Sequence, residues 1–205
     1  IPGKHVDSVM INALAHSEEA VNIVLINALE ERRCRDAVDE IKVFLKSENR
    51  KLRIAATQAL GLVGSHQLIP SLIQNLTNDP SAAEKQAIEN AIFKIAQQAE
   101  IKSVTETYVM PVFQSSVDET SQKSLLELIG NLGEDDGMGI LQSYLDHQDQ
   151  QMQLAAVRGL SNWPNASPVT DLMTVAKAHQ DNRMKTIAVR GCARLLEKDT
   201  ALSDS

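Results

Sequence analysis

Histidine and cysteine are the first residues of this chain to consider as metal ligands or nucleophiles. His16, His147 and His179 occupy equivalent positions, each at the end of a predicted helix. Neighbouring helices pack about 8–10 Å apart, whereas zinc binds an imidazole nitrogen at about 2 Å, so equivalent histidines cannot easily share an ion. Cys34 and Cys192 lie far apart, with neither ligand spacing nor a disulfide framework. We therefore expect no metal site and no cofactor, and helix-end histidines that favour the negative end of the helix dipole.

Acidic residues also occur in groups. The segment 133–139 (GEDDGMG) superficially suggests a cation-binding loop, but it lacks the alternating ligands and distal Glu of an EF-hand. Its position predicts a turn instead. The pairs Glu18–Glu19 and Asp135–Asp136 are adjacent in sequence, and neighbours on a helix do not face each other, which is poor geometry for a shared-proton pair. With no nucleophile-elbow, Walker or dinucleotide motif, we predict no catalytic residues and no enzyme activity.

Charge and hydropathy exclude further function classes. The 205 residues carry 27 acidic and 20 basic side chains, a net charge of −7. Residues 101–149 hold nine acidic and two basic residues and so carry the whole imbalance. We expect no nucleic-acid binding, which requires a basic surface, and no membrane insertion, because no apolar run approaches about 18 residues. The chain starts at Ile1 without Met, and we expect it to be part of a longer protein.

An internal repeat of about 33 residues organises the chain. The segments 52–60 (LRIAATQAL), 152–160 (MQLAAVRGL) and 184–192 (MKTIAVRGC) align at offsets of 100 and 32. Each carries the one-sided apolar stripe of a packed helix. We predict an all-α fold of twelve helices and about six pairs, in which shorter A helices alternate with longer B helices. The predicted A helices are 3–15, 35–46, 67–77, 103–115, 137–146 and 167–179, and the predicted B helices are 18–32, 50–63, 81–98, 119–132, 150–162 and 182–197.

One stretch carries a family resemblance. Residues 52–64 (LRIAATQALGLVG), followed by 68–76 (LIPSLIQNL), resemble the HEAT-repeat family, and 128–133 (LIGNLG) repeats the end of the pattern. The resemblance, to bacterial HEAT-like proteins, implies a right-handed α-α superhelix with the B helices on its concave side. It also implies that Arg53, at the family's B-helix arginine position, braces the adjacent repeat. We expect a single domain over 1–205, with repeats of approximately 1–33, 34–65, 66–100, 101–133, 134–164 and 165–199.

Two rows of polar residues follow the B helices. The first row has one member per repeat: Asn27, Gln58, Asn90, Glu127, Arg158 and Arg190. Its steps are 31, 32, 37, 31 and 32 residues, which predicts about one extra helical turn between the third and fourth repeats. The second row lies one and a half turns earlier: Asn22, Arg53, Lys85, Gln122, Gln153 and Lys185.

A polar row is typical both of a solvated helix face and of a track that binds a partner. We predict a protein-interaction or scaffolding module that binds a protein or peptide through the first row together with Arg53 and Lys185. The alternatives are a structural spacer between domains or a HEAT-like enzyme. A bilin lyase would be revealed by pigment transfer, and a DNA glycosylase would need a basic, aromatic-bearing face. The single Trp163, at the end of a B helix, is expected in the core instead.

Overall fold

The computed structural model describes residues 4–116 and 118–203, and side chains over 5–116 and 118–197. Contacts divide the chain into two compact units, Ile1–Ile101 and Lys102–Ser205. Every regular element in the described residues is helical, which confirms the all-α prediction. None of the described helices has both the length and the apolarity needed to cross a bilayer.

The first unit contains three helix pairs. Its B helices, α2, α4 and α6, stack in sequence order, and α1, α3 and α5 are the partnering A helices. The second A helix is broken, because a short α-helix lies between two 3-10 turns. Residues 35–46 are therefore helical as predicted, but they do not form one regular α-helix. The bounds are α1 Lys4–Leu14, α2 Glu19–Glu31, α3 Val38–Lys42, α4 Arg50–Val63, α5 Ile69–Thr77 and α6 Ala82–Gln98.

The second unit repeats this arrangement. Its B helices α8, α10 and α12 stack on one another, with α7, α9 and α11 as A helices. A π-helical turn, Thr105–Val109, precedes α7. The bounds are α7 Met110–Ser115, α8 Glu119–Leu132, α9 Asp135–Ser143, α10 Gln150–Asn162, α11 Val169–Ala178 and α12 Asn182–Ser203.

Capping side chains fix where the B helices begin. The Asn49 carboxamide oxygen accepts hydrogen bonds from the backbone N–H groups of Lys51 and Leu52, at 3.0 and 3.4 Å. Asp118, Asp149 and Asp181 do the same for α8, α10 and α12. These bonds satisfy N–H groups that have no partner within the helix.

The start of α6 carries a reciprocal cap. Pro80 lies before the helix, and Ser81 is the N-cap residue. Ser81 and Glu84 form a capping box, in which Glu84 accepts from the Ser81 backbone N–H at 3.0 Å. The S-x-x-E spacing was present in the sequence and was missed.

Small residues let successive B helices approach closely. A Cβ added to Gly61 would lie 2.7 Å from the Ala91 Cα, and one added to Gly130 would lie 2.1 Å from the Gly159 Cα. A Cβ on Gly191 would lie 2.4 Å from the Ser161 hydroxyl. The three contacts join α4 to α6, α8 to α10 and α10 to α12, so the stacking distance depends on the absence of side chains there.

The extra turn predicted from the row spacing lies in α6. This helix has 17 residues, against 14 in α4 and α8 and 13 in α10. Its apolar stripe continues through Ile92, Ile95 and Ala96, all of which are buried. The boundary between the two units follows three residues after α6 ends.

The turn after α8 is shorter than the sequence predicted for the acidic segment 133–139. Gly133 ends α8 in the left-handed region, with φ of 63°, and α9 begins at Asp135 rather than at 137. The Glu134 carboxylate accepts backbone N–H groups of Val104 and Thr105, at 2.9 and 2.8 Å. This acidic residue therefore caps the start of the neighbouring A helix, since a carboxylate suits the positive end of a helix dipole.

Candidate protein-binding surface

The first polar row presents carboxamides in the first unit. Asn27, Gln58 and Asn90 stand at equivalent positions of α2, α4 and α6, and all three are exposed. Within the described residues, none of these side chains takes part in a hydrogen bond. Because α2, α4 and α6 stack side by side, the three amides line one face of this unit.

The same row carries charges in the second unit. Arg158 donates to the Glu127 carboxylate at 3.1 Å, which joins α10 to α8. Both side chains are partly exposed, so the pair adds little stability. Arg190, the next member on α12, is exposed and has no ion-pair partner in the part of the chain that the structure describes. The row thus changes from neutral amides in one unit to charged groups in the other.

The second polar row holds loops in place. Gln122 donates to the Ser116 carbonyl oxygen at 2.9 Å, and Gln153 donates to the His147 carbonyl oxygen at 2.7 Å. Asn22, which is buried, donates in the same way to the carbonyl oxygen of residue 17 at 3.2 Å. Each bond ties a B helix to the loop that precedes it, five or six residues back. The recurrence of donor side chains at one repeat position was the available signal, but the sequence analysis assigned a role only to Arg53 and Lys185 of this row.

Arg53 also bonds the loop that precedes its helix, and in addition it connects two repeats. Its guanidinium donates to the Ser47 and Glu48 carbonyl oxygens at 2.6 and 2.9 Å, and to the Glu84 carboxylate at 2.7 Å. The contact joins α4 to α6, as the family resemblance implies. Burial raises the pKa of the Glu84 carboxyl, but hydrogen bonds from Ser81 and Arg53 outweigh it, so the net pKa lies below the ordinary 4.5. Lys185, the other predicted site residue of this row, is half-buried on α12 and makes no side-chain hydrogen bond within the described residues.

The comparison with protein-family models finds a match in the first unit. A model described as HEAT repeats matches residues 8–92, which span from α1 into α6. Residues 8–92 are HEAT repeats. The resemblance drawn from residues 52–76 is thereby confirmed, and HEAT repeats are typically interaction or scaffold modules and generally not enzymes.

Other comparisons add little to the HEAT assignment. No curated protein matches the chain significantly. Among solved structures, one similar chain is an engineered protein whose crystal structure came from a structural genomics consortium. It is 16% identical, with 94% of this chain and 97% of that chain covered, and its TM-score is 0.43. That likeness is too weak to bear on fold or function.

The HEAT repeats of the first unit enclose a polar cleft of about 570 Å³ between the second and third pairs. Arg50, Arg53 and Glu84 line it, together with the C-terminal end of α5. Arg53 and Glu84 already bind each other, whereas Lys46, Glu48 and Asp79 add further charges to the lining.

A second cleft, of about 670 Å³, lies 100 residues later at the equivalent place in the second unit. Its lining includes Leu145, Val175 and His179, and Gln153 stands where Arg53 stands in the first cleft. The His179 ring accepts a backbone N–H from Asp181 at 3.0 Å and contacts the Gln153 carboxamide at 3.2 Å. The histidine therefore orders the loop before α12, a more specific role than the helix-dipole effect expected of it.

The cysteines occupy the core rather than a surface. Cys34 and Cys192 are both buried, and burial is the main cause that raises the pKa of each thiol above its ordinary value. A raised pKa keeps a thiol protonated and unreactive near neutral pH. Within the described residues, no group of three or more His, Cys, Asp or Glu is placed to hold a metal ion.

Proposed function

We propose that this chain is a protein-interaction module whose first unit binds an extended peptide segment of a partner protein. The binding residues are the three carboxamides Asn27, Gln58 and Asn90. The observation that supports the proposal is that all three are exposed on stacked helices and make no hydrogen bond within the described residues. A polar side chain with no internal partner keeps its full hydrogen-bonding capacity for a ligand.

The chemistry of a carboxamide fits a peptide main chain. Each amide offers N–H donors and a carbonyl acceptor, the same pair of groups that every peptide unit presents. Stacked helices lie about 8–10 Å apart, and an extended strand rises about 3.3 Å per residue. Successive amides would therefore meet about every third residue of a bound segment. Recognition of this kind reads the main chain and tolerates varied side chains.

In the second unit, the charged row adds selectivity. Arg158 is engaged by Glu127 at 3.1 Å, whereas the exposed Arg190 has no such partner among the described residues. We propose that Arg190 pairs with an acidic side chain of the partner. Such an exposed pair tunes specificity and association rate more than affinity, and its contribution falls as salt is added.

A peptide-display selection followed by affinity measurement tests the proposal. Twelve-residue random peptides are selected on the full chain, and the dissociation constants of the recovered peptides are measured by fluorescence polarisation. The triple variant Asn27→Ala, Gln58→Ala, Asn90→Ala should bind the recovered peptides at least about tenfold more weakly, because each lost hydrogen bond contributes about 0.5–1.5 kcal/mol.

A matched control uses three exposed amides on the A-helix side of the same unit. Asn12, Gln67 and Gln74 are exposed, and their replacement by alanine should leave affinity unchanged. Equal affinity of both triple variants and the wild-type chain would contradict the proposal. So would a selection that returns no peptide, because a spacer between domains needs no binding face.

A further inference from the structure

The clefts of the two units are lined by equivalent positions but differ in charge. Ten of the twelve residues that line the second cleft lie 100 positions after residues that line the first. Three of these positions are basic in the first cleft and none is basic in the second: Lys46, Arg50 and Arg53 correspond to Asp146, Gln150 and Gln153. The described residues that line the second cleft include two aspartates but no lysine or arginine. The second cleft is therefore acidic.

The first cleft contains its own guanidinium, and the second does not. Arg53 donates to the Glu84 carboxylate at 2.7 Å and to two carbonyl oxygens of the preceding loop. In the second unit, Gln153 is bonded to the His147 carbonyl oxygen at 2.7 Å, and the residue 100 positions after Glu84 is the buried Met184. Both members of the ion pair are thus replaced. The second cleft, at about 670 Å³ against about 570 Å³, is also the larger.

The two aspartates of the second cleft have no cation to neutralise them within the described residues. Asp171 of α11 accepts one hydrogen bond, from the Gln142 carboxamide at 2.9 Å, which fixes the carboxylate in position. Asp146, exposed in the loop between α9 and α10, takes part in no hydrogen bond or ion pair among the described residues. The carbonyl oxygen of Gln148, the equivalent of the Glu48 carbonyl that Arg53 bonds, also has no donor in this part of the chain. Three acceptors therefore remain for a ligand.

The rest of the lining is apolar or neutral. Leu145 is half-buried, Val175 is buried and Ala178 is exposed, so the cleft has an apolar wall. The His179 Nδ1 atom accepts the Asp181 backbone N–H at 3.0 Å, which leaves the ring neutral in this arrangement. An apolar wall beside carboxylates suits a long side chain with methylene groups and a cationic end.

We propose that the second cleft binds an arginine side chain of a partner protein. The guanidinium pairs with Asp146 and Asp171, and the methylene groups pack on Leu145 and Val175. Arginine fits better than lysine because its planar fork of N–H donors can bond carboxylate and carbonyl oxygens together, as Arg53 does in the first cleft. No lining residue belongs to the first polar row, so this site holds or fails independently of peptide binding by the first unit.

A titration with a single-arginine peptide tests the site. The probe is an acetylated and amidated pentapeptide with one central arginine among glycine and alanine, added to the ¹⁵N-labelled chain. The side-chain NH₂ signals of Gln142, Gln150 and Gln180 should shift and saturate, with a dissociation constant of about 1 mM. The same peptide with citrulline, which keeps the shape and removes the charge, should bind at least about tenfold more weakly. The lysine peptide should bind about threefold more weakly than the arginine peptide.

Two double variants separate the cleft from the general acidity of its surroundings. Asp146→Asn with Asp171→Asn should weaken binding of the arginine peptide at least about tenfold. The matched control is Glu106→Gln with Glu119→Gln, which removes the same charge from exposed residues of this unit outside the cleft lining. The control should bind like the wild-type chain. All four substitutions preserve side-chain shape at exposed or half-buried positions, so circular dichroism should be unchanged.

Rebuilding the internal arginine gives an occupancy test. Gln153→Arg introduces a guanidinium at the position from which Arg53 fills the first cleft, and it should abolish binding of the peptide while circular dichroism stays that of the wild type. Undiminished binding by this variant would overturn the proposal.

Three further results would also overturn it. The first is equal affinity for the arginine and citrulline peptides, or for the arginine and lysine peptides. The second is equal weakening by both double variants, which would assign the effect to the general negative charge. The third is the absence of saturable shifts at about 10 mM peptide.

Discussion

Replacing Arg53 by alanine should destabilise the first unit more than any exposed charge substitution. The guanidinium makes three hydrogen bonds of 2.6 to 2.9 Å, two to backbone carbonyls and one to Glu84. Its removal leaves a carboxylate whose side chain is only 9% exposed without its main partner. Truncating one partner of a fully buried ion pair costs about 3–5 kcal/mol. Because the Arg53 side chain is 29% exposed and solvent screens part of the interaction, we expect a loss of roughly 2–4 kcal/mol.

Urea denaturation followed by circular dichroism measures this loss. Arg50→Ala is the matched control, because Arg50 also faces Glu84 but at 3.5 Å and with its side chain 64% exposed. The control should change the free energy of unfolding by less than about 0.5 kcal/mol. If Arg53→Ala costs no more than Arg50→Ala, the brace between the second and third repeats contributes nothing, and the reasoning from its contacts is wrong.

The pH dependence of the free energy of unfolding tests the same Arg53–Glu84 pair. The pKa of Glu84 is lower in the folded protein than its ordinary 4.5, so the ionised carboxylate stabilises the fold above pH 4.5. This contribution is lost as the pH falls through the folded pKa. The stability difference between the wild type and Glu84→Gln should therefore be constant near neutral pH and shrink on acidification below 4.5. A difference that grows on acidification would contradict the pKa direction.

Two further predictions concern packing. Gly130→Ala should destabilise the chain by roughly 2–3 kcal/mol, because its Cβ would meet the backbone of Gly159. Gly139→Ala, with nothing within 4 Å of the added Cβ, should instead stabilise the chain by about 0.5–1 kcal/mol. The urea midpoints of the two variants measure this difference, and equal midpoints would contradict the close approach of α8 and α10. Cys34 and Cys192 should react with a thiol reagent at pH 7 only as the chain unfolds, because both are buried and have raised pKa values. Rapid modification of either cysteine in the native chain, followed by absorbance, would contradict its burial.

The sequence predicted most of the fold because the repeat imposes one pattern many times. The apolar stripe around Leu52 recurs near Met152 and Met184, and all three of these residues are buried at 1% exposure. The extra length of α6 was also predictable, because the step of 37 residues between the third and fourth members of the first row can be counted in the sequence. Trp163, at 1% exposure, lies in the core as its repeat position indicated.

The sequence could not show that the second polar row bonds the loops before the B helices while Asn27, Gln58 and Asn90 of the first row stay exposed. Gln58 and Gln153 are chemically alike, yet Gln58 is exposed while Gln153 bonds the carbonyl oxygen of His147 at 2.7 Å. The difference arises from which loop lies within reach, and that depends on tertiary packing. The Glu134 cap has the same origin, because its partners lie about 30 residues earlier in the chain.

The side-chain amide resonances of the first row give the most direct test of the proposed function. Nuclear magnetic resonance spectra of the ¹⁵N-labelled chain are recorded while a selected twelve-residue peptide is titrated in. The proposal predicts saturable shifts of the side-chain NH₂ signals of Asn27, Gln58 and Asn90, with Asn12 and Gln67 unmoved. Shifts confined to A-helix amides, with the three row signals unchanged at saturation, would contradict it.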